Sequence, residues 1–229
     1  MSFDVSLVFA SLPEIVGGIG VTVQLLVLSL LLGLVLAVAT ALMRISRIPL
    51  LAWPAFAYVY VFRGTPILVQ LFVIYYGLPQ FAFIQESVLW PILREPYWCA
   101  IIAFTLNNGA YAAEILRGGI QGVDRGLHEA GRALGLSPRQ RFIYVTAPIA
   151  VRLALPAYSN EMISLLKATA LASTITMADV TGVARTIVAK TFAPYEIFIS
   201  AALVYLAMTW LIQRAVALAE RRASRYVRT

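Results

Sequence analysis

From Ile15 to Met43 the chain runs for 29 residues without a single charge. An α-helix needs only roughly 20 mostly apolar residues to cross the hydrocarbon core of a bilayer. The run has companions. Stretches of 22, 18 and 17 uncharged residues separate Arg63 from Glu86, Glu95 from Glu114, and Glu196 from Arg214. Inside a bilayer every backbone polar group needs an internal partner, so runs of this length are read as helices. Composition agrees. The chain is 61% apolar and 13% charged, against about 45–50% and about 25% in soluble domains. A single soluble core does not cover that much apolar surface, and disorder requires the opposite balance. The expected fold is therefore an all-α membrane protein, one domain over residues 1–229.

Five spans are expected, at about 15–43, 53–78, 97–116, 149–174 and 195–213. The second is interrupted by Arg63-Gly64-Thr65-Pro66, and the fourth is obscured by Arg152, Glu161 and Lys167. Residues 177–192 read as a re-entrant or an external helix. Residues 1–18 contain Asp4 and Glu14 but no Lys or Arg, so the basic start of a secretory signal is missing and the first apolar run is expected to remain as a helix. Cys99 has no second cysteine to pair with and reads as a small packing residue. Trp53, Trp98 and Trp210 near span ends read as interfacial anchors.

The net charge is +7. In a chain of this class it bears on orientation rather than on nucleic acid. Thirteen basic residues fall on one side: Arg44 and Arg47, six between Arg117 and Arg152, and five from Arg214 to Arg228. Three fall on the other, Arg94, Arg185 and Lys190. The positive-inside rule places the rich side in the cytoplasm and the N-terminus outside. The basic tail also suits contact with anionic membrane lipid.

Three places carry chemistry. The loop over about 117–148 contains Glu129-Ala130-Gly131-Arg132-Ala133-Leu134-Gly135. Gly135 reads as a C-cap, and Ser137 with Pro138 as the start of a further helix. Such a helix is either a solvated amphipathic element or a docking knob for a cytoplasmic partner; His128 lies beside it. In span four, Glu161 falls near the midplane, where an ionisable group is expensive and usually functional. It suits an ammonium or guanidinium ligand, or an internal pair with Arg63 or Lys167. Asn160 hydrogen-bonds either ligand or a neighbouring helix. Lys167 and Thr169 either line the cavity or satisfy the end of the span. In span two, Gly64 weakens the helix, Thr65 offers a cap, and Pro66 opens a new half-helix whose N-terminus suits a carboxylate. The alternative there is a packing kink. Arg63 pairs with an acid or snorkels; Gln70 faces the same pathway or makes a packing hydrogen bond. Asn107, Asn108 and Tyr111 read as contacts to neighbouring helices, and Glu114 with Arg117 as an i,i+3 bridge.

The segment Glu129-Ala130-Gly131-x-x-x-Gly135, followed by Val145-x-Ala147-Pro148, resembles the E-A-A motif of bacterial ABC importer permeases. It departs from that motif at Gly131, Val145 and Ala147 and keeps their small or apolar character. Phe62-Arg63-Gly64-Thr65-Pro66 with Gln70, Glu114-Ile115-Leu116-Arg117-Gly118, and Ala157-Tyr158-Ser159-Asn160-Glu161 are similar to signatures of the polar amino acid branch, the last of them in the version of permeases for histidine, lysine, arginine, ornithine or opines. The resemblance covers nearly the whole chain. It implies a type I importer fold, with a cytoplasmic coupling helix between spans three and four in which Glu129, Ala130, Gly131, Gly135 and Pro148 take part. It implies cytoplasmic ATP-binding subunits, a second permease (a homologue or a second copy) and a periplasmic solute-binding protein, all at the bacterial inner membrane. This chain has no G-x-x-x-x-G-K-[ST] phosphate loop. ATP and Mg are accordingly expected in the partner ATPase, with no cofactor and no metal in this chain. The competing class is a channel or ion-coupled secondary transporter, which has no need of the Glu129–Gly135 loop.

Overall fold

The structure, a computed structural model, describes residues 4–224. Among them, four helices are long and apolar enough to cross a membrane, and one further pair of helices, bent at a break, is so when taken together. Arg225 and Arg228 of the basic tail lie outside the described residues, as do the side chains of Arg221 and Arg222.

The chain opens with α1 (Val5–Val16), capped by the Asp4 carboxylate, which accepts from the N–H groups of Ser6 and Leu7. A turn at Gly17-Gly18 separates it from α2 (Ile19–Ile45). The first span therefore starts four residues later than the uncharged run suggests. Gly18 explains the break. A Cβ there would stand 2.6 Å from the backbone nitrogen of Val180, so the chain turns where only glycine fits. After a short loop, α3 (Pro49–Gly64) ends at the Gly64-Thr65-Pro66 break, and helix resumes as α4 (Ile67–Phe72), a π turn (Val73–Gly77) and a 3-10 turn (Leu78–Gln80). Across the break the axis turns by 106°. Pro66 has no N–H to donate and drives the residue before it into the extended region; Thr65 has φ −120° and ψ 146°. The small helices α5 (Ala82–Gln85) and α6 (Trp90–Leu93) lead to α7 (Pro96–Gln121).

α7 is the axis of the bundle. Cys99, Ala100, Ala103, Phe104, Ala110, Ala112 and Ala113 are fully buried on it. Small residues let membrane helices approach closely, where van der Waals packing drives association. α2 runs parallel to α7: Gly33 faces Asn108, and Arg44 meets Glu114. α3 crosses it, with the Tyr58 hydroxyl donating to the Leu106 carbonyl at 2.6 Å. α7 reaches Gln121, five residues beyond the expected end of span three.

α8 (Arg125–Ala133) and α9 (Pro138–Arg141) form the following loop. From Pro138 helix continues to Ile175 through a π turn (Phe142–Thr146), α10 (Ala147–Ala168) and a 3-10 turn (Thr169–Ile175). Span four thus begins inside the expected loop, because the π turn carries helix past Pro148. Both π turns end two residues before a proline, Pro79 and Pro148. A widened turn moves the carbonyl that the proline ring would otherwise strike. On α10, Ala150 and Ala154 pack against Gly119 of α7. Residues 177–192 contain α11 (Val180–Thr191), capped by buried Asp179, whose carboxylate also accepts from the Tyr205 hydroxyl at 3.2 Å. α12 (Pro194–Ser224) closes the bundle against α1, where Ser11 donates to Ser200 at 3.0 Å.

Candidate functional site

A cavity of about 300 Å³ opens where the helix break meets α10. Thr65, Pro66 and Ile67 form one wall, Asn107 and Tyr111 of α7 a second, and Glu161, Ser164, Leu165 and Ala168 of α10 the third. The α10 residues are spaced i, i+3, i+4, i+7, which is one face of a helix. Glu161 lies about 21 Å along α10 from Ala147, at 1.5 Å per residue. Its carboxylate accepts from the Asn108 amide at 3.5 Å, and no arginine or lysine among the described residues forms an ion pair with it.

The structure thus brings Glu161 and the Thr65–Ile67 break to one cavity, two features 96 residues apart in the chain. The neighbouring candidates separate. Asn160 is one residue, about 100°, away around the helix, and it lines a different groove with Ser159, Ile163 and Gln213. Lys167 is exposed and lies outside the cavity lining. Thr169 is fully buried and donates to the Leu166 carbonyl at 2.6 Å, so it satisfies the end of α10. Thr65 does not cap the half-helix. Its hydroxyl donates back to the Val61 carbonyl at 2.8 Å, and Pro66 occupies the N-cap without a side-chain bond. Gln70 is buried, and its amide donates to the Phe62 carbonyl, the Thr65 carbonyl and the Thr65 hydroxyl at 2.9, 3.1 and 2.8 Å. It stitches the two sides of the break together, and Asn107 donates to its oxygen at 3.0 Å. Gly64 is open, with no atom within 4 Å of a built Cβ.

Arg63 belongs to a charged cluster around Glu114, whose side chain is only 14% exposed. Arg117 approaches it at 2.7 Å, Arg44 at 3.2 Å and Arg63 at 4.0 Å. The sequence shows the i,i+3 bridge to Arg117; it does not show Arg44, which is 70 residues away. Asn107 and Tyr111 are the cavity residues that sequence reasoning assigns to packing alone. The i,i+3,i+4,i+7 series from Glu161 also reveals Ser164, Leu165 and Ala168.

The second site is the loop. Asp124 caps α8 by accepting from the Gly126 N–H at 2.7 Å. At the other end Gly135 takes φ +73°, its N–H donates to the Arg132 carbonyl at 2.9 Å, and that of Leu136 to the Gly131 carbonyl at 3.0 Å. These two bonds make a Schellman motif. Ser137 then caps α9 in a reciprocal box with Gln140, with Pro138 at the first position. Gly131 is buried under the Arg141 stem, whose carbons lie 3.2 Å from a built Cβ, so the alanine usual in the motif would fit here only with a small shift of that stem. Glu129 and Ala130 are exposed, Leu134 is 79% exposed, and Pro148 is exposed beyond the π turn. A short, doubly capped helix carries Glu129, Ala130 and Leu134 outward on a fixed base.

Apolar helices broken around a polar cavity at mid-bundle, with an exposed helix on one connecting loop, are the construction of a solute-moving membrane protein. Comparison with known proteins narrows the class. The chain belongs to the family described as binding-protein-dependent transport system inner membrane component, which it matches over residues 29–225. It is 47% identical over 218 residues to the nopaline transport system permease protein NocM of Agrobacterium fabrum, covering 95% of this chain and 90% of that one. It is 39% identical over 212 residues to the histidine/lysine/arginine/ornithine transport system permease protein HisM of Escherichia coli, covering 92% and 89%. A chain from the crystal structure of an amino acid ABC transporter with histidines is 36% identical and superposes with TM-score 0.86 over 97% of this chain and all of that one. The fold is that of a type I ABC importer membrane subunit.

Proposed function

We propose that this chain is the membrane subunit of an inner-membrane importer that moves a cationic amino acid or an opine into the cytoplasm by alternating access. The observation that carries the substrate class is the cavity in which Glu161, without an ion-pair partner among the described residues, faces the Thr65–Ile67 break. A carboxylate in that position suits the ammonium or guanidinium end of the solute. The polar groups of Asn107, Tyr111 and Ser164 are there for the rest of it. The relatives named as nopaline and histidine/lysine/arginine/ornithine permeases support the same class.

In this reading α8 is the coupling helix. Glu129, Ala130 and the exposed Leu134 meet a cytoplasmic ATPase, which holds the ATP and Mg, and the Schellman turn at Gly135 transmits its movement to α10. A solute-binding protein delivers the solute from outside. A second permease, homologous or identical, completes the pathway. The N-terminus faces outward and the arginine-rich loop inward.

The test is equilibrium binding of L-arginine and its neutral isostere L-citrulline to the purified complex. A hydrogen bond to a charged group contributes about 1.5–3 kcal/mol, so Glu161→Gln is expected to weaken L-arginine about 10–100-fold and to leave L-citrulline within a few-fold. Unchanged L-arginine affinity removes Glu161 from the site.

A further inference from the structure

The charges around the cavity are unevenly matched. Glu114 already has two guanidinium partners, at 2.7 and 3.2 Å. Arg63 is the third and the loosest, at 4.0 Å with its side chain 44% exposed. Glu161 makes one long hydrogen bond and no ion pair among the described residues. Around this cavity, among the described residues, one cation is therefore loosely paired and one carboxyl group has no ion pair, and Tyr111 meets both. The Arg63 guanidinium sits over the Tyr111 ring, 5.2 Å from its centroid, and the same ring lines the cavity that contains Glu161. Arg63 is also two residues ahead of the Thr65-Pro66 break, where α3 ends in a glycine whose surroundings are open. Its side chain is thus anchored on a helix terminus rather than within a packed helix. The other candidate partner, Lys167, lies six residues beyond Glu161, about 240° around the helix from it, and outside the cavity lining.

Unpaired charges in a membrane interior are costly, and mobile ones find each other. We propose that Arg63 is a tethered competitor for the cation-binding carboxylate. With the cavity empty, its guanidinium swings past Tyr111 to pair with Glu161; a cationic solute displaces it, and Arg63 returns to Glu114. Arg63 then sets selectivity. A neutral solute cannot replace the ion pair and leaves it closed, whereas a guanidinium or ammonium exchanges for it at little electrostatic cost. Arg44 and Arg117 hold Glu114 in either state, so the exchange leaves the α2–α7 lock intact. The inference rests on the reading of Glu161 as the solute-binding carboxylate.

The test uses the full complex in lipid nanodiscs with radiolabelled L-arginine and L-citrulline as probes. Removing the competitor by Arg63→Gln is expected to tighten L-arginine binding by about tenfold when Glu161 is present and to leave it unchanged when Glu161→Gln is also made; Arg63→Lys restores the weaker binding. A direct readout needs no solute. The infrared carboxylate band that Glu161→Gln removes should shift on Arg63→Gln in the empty protein and stay in place when the protein is saturated with L-arginine. An equal effect of Arg63→Gln with and without Glu161, or an unmoved band, overturns the competitor role. If Glu161→Gln leaves the preference for L-arginine over L-citrulline intact while the band shifts, the internal ion pair stands, but the substrate reading fails and the competitor role with it.

Discussion

The turn after the coupling helix offers the cleanest quantitative perturbation. Gly135 has φ +73°, and a Cβ built there meets nothing within 4 Å. Any cost of a side chain is therefore backbone strain and not collision. An L-residue in the left-handed region loses about 1–2 kcal/mol. Asparagine tolerates the region better than alanine, and a β-branched residue is the worst placed. One to two kcal/mol is about a 5–30-fold change in a local equilibrium. The Gly135 N–H to Arg132 bond and the Leu136 N–H to Gly131 bond exist only while this turn is closed. In Gly135→Ala the amide exchange protection of Leu136 should fall by about that factor, with Gly135→Asn milder and Gly135→Val stronger. Solute-stimulated ATP hydrolysis of the reconstituted complex should fall in the same order, while the yield of folded permease stays constant. A valine variant with full protection and full stimulation would refute the argument that the left-handed turn fixes the coupling helix.

Two further outcomes follow from packing and hydrogen bonding. Gln70→Ala takes a donor from the Thr65 carbonyl and leaves the Phe62 carbonyl with Asn107 alone; each such hydrogen bond is worth about 0.5–1.5 kcal/mol net. The variant should lower the melting temperature of the complex more than Gln80→Ala does, since Gln80 is exposed, and equal shifts would contradict the stitching role. At Gly119 a Cβ would stand 2.5 Å from the Ala150 carbonyl oxygen. Overpacking of this kind costs about 1–3 kcal/mol, so Gly119→Ala should be destabilising whereas Gly118→Ala, which faces open space, should be neutral. A thermal shift that does not distinguish the two places α7 and α10 further apart than described.

Some of this architecture is legible locally, because local chemistry dictates it. Gly135, Ser137 and Pro138 announce the turn and the next helix through the conformations those residues prefer, and Gly64-Thr65-Pro66 announces the break. The 106° turn at that break is not legible, since it depends on Gln70 and Asn107 holding the two sides from different helices. The uncharged run carries the first span back to Ile15, across the turn, because hydropathy does not register the close approach of Val180 that Gly18 accommodates. Within the site, Glu161 is conspicuous as a charge among apolar residues. Asn160, Lys167 and Thr169 look equivalent to it along the chain, yet they fall on other faces of the helix. The 3.6-residue period from Glu161 separates them; nearness in sequence does not. The Arg44–Glu114 pair spans 70 residues, and only the parallel packing of α2 on α7 joins it.

On the proposed function, this chain moves its solute only when a separate ATPase drives it through α8. Uptake of radiolabelled L-arginine into proteoliposomes tests it most directly, with the permease, its ATPase and a solute-binding protein present, ATP inside or outside, and an imposed proton gradient as the alternative energy source. Uptake is expected to require ATP on the side of the arginine-rich loop and to stop when the ATPase is omitted. Uptake by the permease alone, driven by the proton gradient, would contradict it.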